Sequence, residues 1–294
     1  MPRSGPPIPC DDLSTGEYGT FALVDTITVM TTRRVKLVHT SDVHLDGRVR
    51  SDAVDGFRNA AERAFSRVID VVLAEEADLF LIVGDLFDHG RVSDEDFHFV
   101  REQLGRLACP VILLPGNHDV HDETSVWRRI EFDDAGSHNG GHVHLLLETD
   151  GDCLEFEDMG VRVWGRAMQE HAPENVPLEG VPPRHGDLWN VGLAHGQVVE
   201  ERMGWASSQI THDEIRDSGF DYLALGHIHV WGEVSQGTTK AYYPGSPVAA
   251  FASRDGGHVA IATLCPERGV RVERCQVDEA EAASEGASGD WMMP

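Results

Sequence analysis

The sequence predicts an α/β protein whose single domain is built on two β-sheets. Three observations carry this reading. Apolar strand-like runs alternate with amphipathic helical stretches from residue 35 to residue 115. A series of short, turn-spaced strands follows, as far as residue 277. Five runs of polar, metal-binding side chains each stand at the end of one of the strand-like segments.

The first strand is VKLVH (35–39). The stretch from Asp55 to Ala74 carries apolar residues at 57, 61, 64, 65, 68, 69, 72 and 73, the stripe of an amphipathic helix. LFLIV (79–83) is apolar throughout, as expected of a strand covered on both faces. A second helix is expected from Ser93 to Leu107, with Ser93 and Asp96 spaced as a capping box and Phe97, Val100, Leu104 and Leu107 facing inward. VILLP (111–115) is the third strand. Such a β-α-β-α-β succession implies parallel strands joined by right-handed crossovers, with ligands gathering at the carboxyl ends of the strands. The strands expected next are HVHLLL (142–147), CLEFE (153–157), VRVWG (161–165), WNVGLAH (189–195), DYLAL (221–225), the Tyr242-Tyr243 region, HVAIATL (258–264) and VRVERCQV (270–277). Their density predicts a second sheet in this half of the chain, packed on the first.

Residues 1–29 are rich in Pro, Gly and Thr without usable periodicity, and read as a flexible extension; a strand from Phe21 to Val29 is the alternative. The domain proper is expected over 30–277. The segment 278–294 carries five acids and no Lys or Arg, and reads as a disordered acidic tail. No stretch approaches the roughly 20 apolar residues that span a bilayer. The first apolar run, Phe21 to Val24, is too short for a signal-peptide core, so a cytoplasmic protein is expected. Five scattered cysteines with no CxxC read as reduced thiols. The formal net charge of -26 argues against a broad basic surface for nucleic acid, though not against a local patch.

The five polar runs are Asp42-Val43-His44, Gly84-Asp85-Leu86-Phe87-Asp88, Gly116-Asn117-His118-Asp119, His195, and Gly226-His227-Ile228-His229. Singly, each has a bland reading. Asn117-His118-Asp119 after Pro115-Gly116 suits a plain turn, and His227-x-His229 suits two exposed strand residues. Gly84-Asp85 is more telling, because an acid directly after a buried strand needs a partner. His142-x-His144 precedes its strand and is left out. Together the five describe one cluster at one sheet edge. Its donors are carboxylate, imidazole and carboxamide without thiolate, which suits a pair of divalent cations of the manganese, iron or zinc kind better than a structural zinc. Paired metals make a phosphoester-cleaving centre.

DVH, GDLFD, GNHD, a lone His after a strand, and GHIH, in that order, resemble the calcineurin-type metallophosphoesterases over roughly residues 35 to 250. HTSDVHLDG, PGNHD and ALGHIH followed by YYPGSP further resemble the SbcD-type DNA repair exonuclease branch. The resemblance implies a two-sheet β-sandwich flanked by helices with a dimetal site at the strand ends. One metal would take Asp42, His44, Asp85 and His229; the other would take Asp85, Asn117, His195 and His227. Asp85 would bridge, one oxygen to each cation. His118 would protonate the leaving oxygen, oriented by Asp119. The resemblance implies a phosphodiester substrate, with DNA ends as one candidate and a cyclic-nucleotide or other small nucleotide-type substrate as the alternative. A metal-free scaffold is disfavoured because every expected ligand type is present. The acidic balance argues against duplex DNA and against an SbcC-type ATPase partner. A nuclease would need basic residues near the metal edge, for which Arg48, Arg50, Arg91, Arg128, Arg129 and Arg166 are the candidates. The sequence leaves the oligomeric state open.

Overall fold

The computed structural model describes residues 33–45, 57–129, 142–252 and 256–278. The extension 1–29, with its alternative strand, and residues 279–294 lie outside them. In chain order the elements are β1 (Val35–Thr40), α1 (Ala60–Ala74), β2 (Leu79–Val83), α2 (Asp94–Leu104), β3 (Val111–Leu114), α3 (Val126–Arg129) and β4 (Val143–Leu145). There follow β5 (Asp152–Phe156), β6 (Val161–Gly165), β7 (Trp189–His195), β8 (Gln197–Val199), β9 (Gln209–Thr211) and α4 (His212–Asp217). The chain closes with β10 (Tyr222–Gly226), β11 (Gly232–Glu233), β12 (Lys240–Tyr243), β13 (Gly257–Cys265) and β14 (Gly269–Asp278).

Two six-stranded sheets form a sandwich flanked by helices. The first has the order β14-β13-β1-β2-β3-β4, the second β11-β12-β10-β7-β6-β5. β1, β2 and β3 run parallel, as the alternation predicts; β4 continues them, and β6, β7, β10 and β12 are parallel too. The expected division of the chain into a first-half and a second-half sheet does not hold. β4, β13 and β14 all join the first sheet, with β13 lying antiparallel beside β1 from Val35 to His39. The exposed edge of β1 is thereby covered by a hairpin made more than 200 residues later, a pairing that local patterns cannot reveal.

Alternation within each strand builds the layers. Leu37, Leu79, Leu81 and Val83 face Val163, Val191, Leu193 and Tyr222 across the sandwich. Val38, Phe80 and Ile82 point the other way, onto Phe65, Val68 and Ile69 of α1 and Val100 and Leu104 of α2. LFLIV is therefore buried on both sides, which is why it contains no polar residue. On the far face of the second sheet, Leu223, Leu225 and Ala194 pack with Ile215 of α4.

α1 starts five residues later than its apolar stripe suggests. Asn59 is extended, and its side chain accepts the Glu62 N–H, so the helix is capped there. Leu73, at the margin of the stripe, is exposed. α2 is capped by Ser93 as expected, but ends at Leu104 because Gly105 follows; Leu107 is buried beyond the helix. Asp278 belongs to β14 rather than to a tail. It is buried, pairs with Arg67 and accepts the Ala249 N–H. Among the described residues no helix is long and apolar enough to cross a membrane.

Candidate metal centre

All five polar runs meet at the carboxyl ends of β1, β2, β3, β7 and β10. The loops after β1 and β2 continue their parallel pairing past the strand ends: Asp42 N–H donates to Gly84 O, His44 N–H to Asp85 O and Leu45 N–H to Leu86 O, at 2.9–3.1 Å. This zipper holds three candidate ligands in left-handed backbone, Asp42 (φ 55°), His44 (φ 52°) and Asp85 (φ 52°); His227 is a fourth (φ 100°). For non-glycine residues such backbone costs on the order of 1–2 kcal/mol each, and it persists only where the surroundings over-determine it. Here it turns consecutive side chains into one space.

Asp42 and Asp85 are almost wholly excluded from solvent. Asp42 accepts the His227 N–H through both oxygens. Asp85 Oδ1 accepts the His118 N–H at 2.9 Å, which leaves Oδ2 to face the cluster, 3.2 Å from His195 Nε2 and 4.0 Å from His44 Nε2. Asp85 thus lies between two groups of donors through one oxygen, not through one oxygen to each side. The first group is Asp42, His44 and His229, whose ligand atoms lie within 4.8 Å of one another. In the second group, Asn117 Oδ1 is 3.0 Å from His195 Nε2 and 2.9 Å from His227 Nδ1.

Hydrogen-bond logic tests whether cations fit. His195 Nδ1 is 2.9 Å from the Val83 carbonyl, which only accepts, so Nδ1 carries the proton. In neutral His195, Nε2 is then a lone pair aimed at two oxygens. His44 repeats the pattern: Nδ1 donates to Asp88 Oδ1 at 3.1 Å, and Nε2 faces His229 Nε2 at 3.2 Å. Lone pairs and carboxylate oxygens converge with no Lys or Arg paired to Asp42 or Asp85 among the described residues, and buried negative charge of this kind needs cations. Without metal the cage charges itself. Burial opposes a proton on His195, but the adjacent Asp85 carboxylate outweighs it and raises the His195 pKa to about 10. Burial likewise opposes ionisation of Asp85, yet His195 holds it below the usual carboxylate range. Burial, reinforced by His195, lowers His227 to about 4. The residues fit a pair of divalent cations.

His118 stands apart. It is exposed, stacks edge-on to His44 at 4.7 Å, and can join His44 and Asp85 around a cation. Asp119 does not orient it. Asp119 is fully buried, and its two oxygens accept the N–H groups of Gly116 (2.7 Å), Phe87 (3.1 Å) and Asp85 (3.2 Å). Burial and the nearby Asp85 charge push its pKa up to about 7. It braces the β2 and β3 loops against each other. Asp88 takes the position expected of Asp119: its carbonyl lies 2.9 Å and its Oδ1 3.4 Å from His118 Nδ1. Asp88 closes the GDLFD run, three residues after Asp85, so its spacing was the available signal.

Other supports also escaped sequence reasoning. Ser246, buried in YYPGSP, donates to Asp42 O at 2.7 Å, and its N–H donates to His229 O at 3.0 Å. Gly245 before it has φ 75°, and a Cβ there would lie 2.8 Å from His229 O. Phe251 packs on the rings of His44 and His229. The excluded pair stays away from the centre: His142 Nε2 lies 3.0 Å from Leu104 O, and His144 packs on Phe156. Of the candidate arginines, Arg166 holds Val176 O and pairs with Glu179, and Arg128 holds Asp122 O. Arg91 is exposed. Arg48, Arg50 and the Arg129 side chain lie outside the described residues.

A cage of carboxylate, imidazole and carboxamide at the strand ends of a two-sheet sandwich defines a metal-dependent phosphoesterase fold. The chain belongs to the calcineurin-like phosphoesterase family, whose sequence profile matches residues 35–231. It is 27% identical over 241 residues to the metallophosphoesterase YhaO of Bacillus subtilis, covering 74% of this chain and 54% of that protein. It is 26% identical over 234 residues to the DNA double-strand break repair protein Mre11 of Methanopyrus kandleri, covering 72% and 49%. The chain thus spans about half the length of these relatives. Among solved structures, the calcineurin-like phosphoesterase YfkN of Bacillus subtilis superposes with a TM-score of 0.51 at 11% identity, over 83% of this chain and 91% of that one. TT1561 of Thermus thermophilus superposes with a TM-score of 0.51 at 11% identity, over 83% and 100%. At such identities these structures speak for the fold alone. The family makes the chain a hydrolase, and its fold implies two bound metals.

Proposed function

We propose that the chain is a dimetal phosphodiesterase of nuclease type, acting on nucleic-acid ends. One observation carries the phosphodiesterase part of the reading: an exposed imidazole, His118, stands at the rim of a buried donor cage with its tautomer set by Asp88. Asp42, His44, Asp85 and His229 would hold one cation, and Asp85, Asn117, His195 and His227 the other, with Asp85 Oδ2 shared. Manganese suits this donor set, with iron or zinc as alternatives. When bound, the pair supplies charge neutralisation at the phosphate and lowers the pKa of water. The chain's own residues do the rest. His118 Nδ1 donates to the Asp88 carbonyl, so Nε2 is the free nitrogen, and in the imidazolium form it is Nε2 that passes its proton to the leaving oxygen. Asp119 keeps the Asp85 and Gly116 backbones in place, so that the cage does not relax when charge changes.

The nuclease reading rests on the similarity to Mre11. A small-molecule phosphodiesterase is favoured instead by the net charge of -26 and by the commitment of Arg128 and Arg166 to backbone carbonyls. Purified protein with Mn²⁺ should be assayed on single-stranded DNA, duplex DNA, bis-p-nitrophenyl phosphate and cyclic AMP. Cleavage of DNA that weakens with rising salt supports the nuclease. Turnover of cyclic AMP with no cleavage of DNA would replace it with the second reading.

A further inference from the structure

At the amino end of β1, the pole opposite the candidate metal centre, lies a cavity of about 300 Å³. It is framed by Arg34, just before β1, and by the β13–β14 hairpin, which contributes Cys265, Glu267, Arg268, Arg271 and Glu273. The register explains the convergence. Val35 lies opposite Leu264, so Arg34 comes level with the end of β13, and Arg271 lies opposite Thr263 on the neighbouring strand. Three guanidinium groups thus surround one concavity.

The charge balance makes this informative. The chain has 50 acids for 24 Lys and Arg, so a carboxylate is available almost everywhere. Many arginines elsewhere take one: Arg33 pairs with Asp78, Arg67 with Asp278, Arg106 with Asp70, Arg184 with Asp221 and Arg202 with Glu214. Arg34, Arg268 and Arg271 make no ion pair or side-chain hydrogen bond among the described residues. Glu267 lines the same cavity; it accepts from the Cys265 thiol at 3.0 Å and is also attracted to Arg268. In an acidic protein, three guanidiniums against the two carboxylates of Glu267 and Glu273 leave this hollow net positive, where the rest of the surface repels anions.

We infer that this cavity is a binding site for a small phosphorylated anion, separate from the metal centre. Planar guanidinium forks match phosphate oxygens, and three of them match a group with three or more free oxygens better than a two-oxygen carboxylate. The cavity has the size of a small-ligand pocket, at the lower end of the usual range. Along β1 it lies roughly 25 Å from Asp42, so one small ligand cannot touch both sites.

The test uses the full chain stripped of metal by chelator, titrated calorimetrically with inorganic pyrophosphate at low ionic strength. One pyrophosphate should bind per chain. The double variant R268A/R271A alters exposed residues, so it should fold with the wild-type circular dichroism, and it should bind about tenfold more weakly or worse. Its hydrolysis of bis-p-nitrophenyl phosphate with Mn²⁺ should match wild type. Asp85→Asn should leave pyrophosphate binding unchanged. Wild-type affinity in R268A/R271A, loss of binding in Asp85→Asn, or no binding at millimolar pyrophosphate would each overturn the site. Tighter, arginine-dependent binding of a single-stranded oligonucleotide than of pyrophosphate would overturn the small-ligand assignment.

Discussion

Gly226 closes β10 directly against the end of β2. A Cβ built there would sit 1.9 Å from Val83 O, 2.6 Å from His195 Nδ1 and 3.0 Å from the Ser41 side chain. Its φ is not positive, so Gly226→Ala tests close approach rather than backbone strain. The added methyl must push β2 away or displace the His195 ring. Overpacking costs about 1–3 kcal/mol. Breaking the buried His195–Val83 hydrogen bond costs about 1–3 kcal/mol more. A total of roughly 2–6 kcal/mol corresponds to a fall of about 4–24 °C in melting temperature for a domain of this size. The ring also loses the bond that fixes its tautomer, which should weaken metal binding about 10- to 100-fold. Thermal unfolding in chelator reads the first effect, and Mn²⁺ titration followed by calorimetry reads the second. The control is Gly232→Ala, where the nearest atom would be 3.7 Å away on Tyr243; its change should stay within about 0.5 kcal/mol. If Gly226→Ala matched the control in both readings, the contact between β10, Val83 and His195 would not set the site.

Three further outcomes follow from the geometry. Asp85→Asn should weaken both metal sites together by metal analysis, because Oδ2 faces both donor groups; loss of a single ion would contradict the shared role. His118→Asn should keep its metal content while turnover falls roughly a hundredfold or more, with the largest loss for alkoxide leaving groups and a smaller one for p-nitrophenolate. His39 is buried between the sheets beside Tyr222 OH, and burial lowers its pKa to about 3. A base depressed in the folded state favours folding above its unfolded pKa, near 6.5, and that contribution fades as pH falls and the unfolded chain takes up the proton. Between pH 7 and pH 5 wild type should therefore lose about 2 kcal/mol more than His39→Gln, by urea unfolding in chelator; equal losses would show that His39 does not titrate on unfolding.

Periodicity located most elements because burial on one or both faces imposes it. LFLIV and VRVWG were visible as strands because covered faces exclude polar side chains, and Ser93 announced α2 through its hydroxyl. What periodicity cannot carry is partnership. β13 reads the same whether it lies beside β1 or beside β10, since both neighbours demand an apolar, alternating strand. The return of β13 and β14 to the first sheet, and the burial of Asp278 against Arg67, are decided by packing between segments far apart in the chain.

The site divides along the same physical line. Metal-binding side chains are few in kind, and five strand ends supplied them in order, so the set brought together by the fold was legible before any contact was known. The roles of neighbouring acids were not. Asp88 and Asp119 are chemically alike and lie in equally polar motifs. Only geometry separates them, because the left-handed backbone at Asp85 opens a pocket of amide groups that one carboxylate must fill. Asp119 fills it and is lost to solvent, which leaves the more exposed Asp88 beside His118. A carboxylate buried on three N–H groups is a structural brace whose removal should loosen both loops at once. The Asp88 carboxylate instead stands 3.1 Å from His44 Nδ1 and 3.4 Å from His118 Nδ1, so its removal should free the two rings and lower turnover while the loops stay in place.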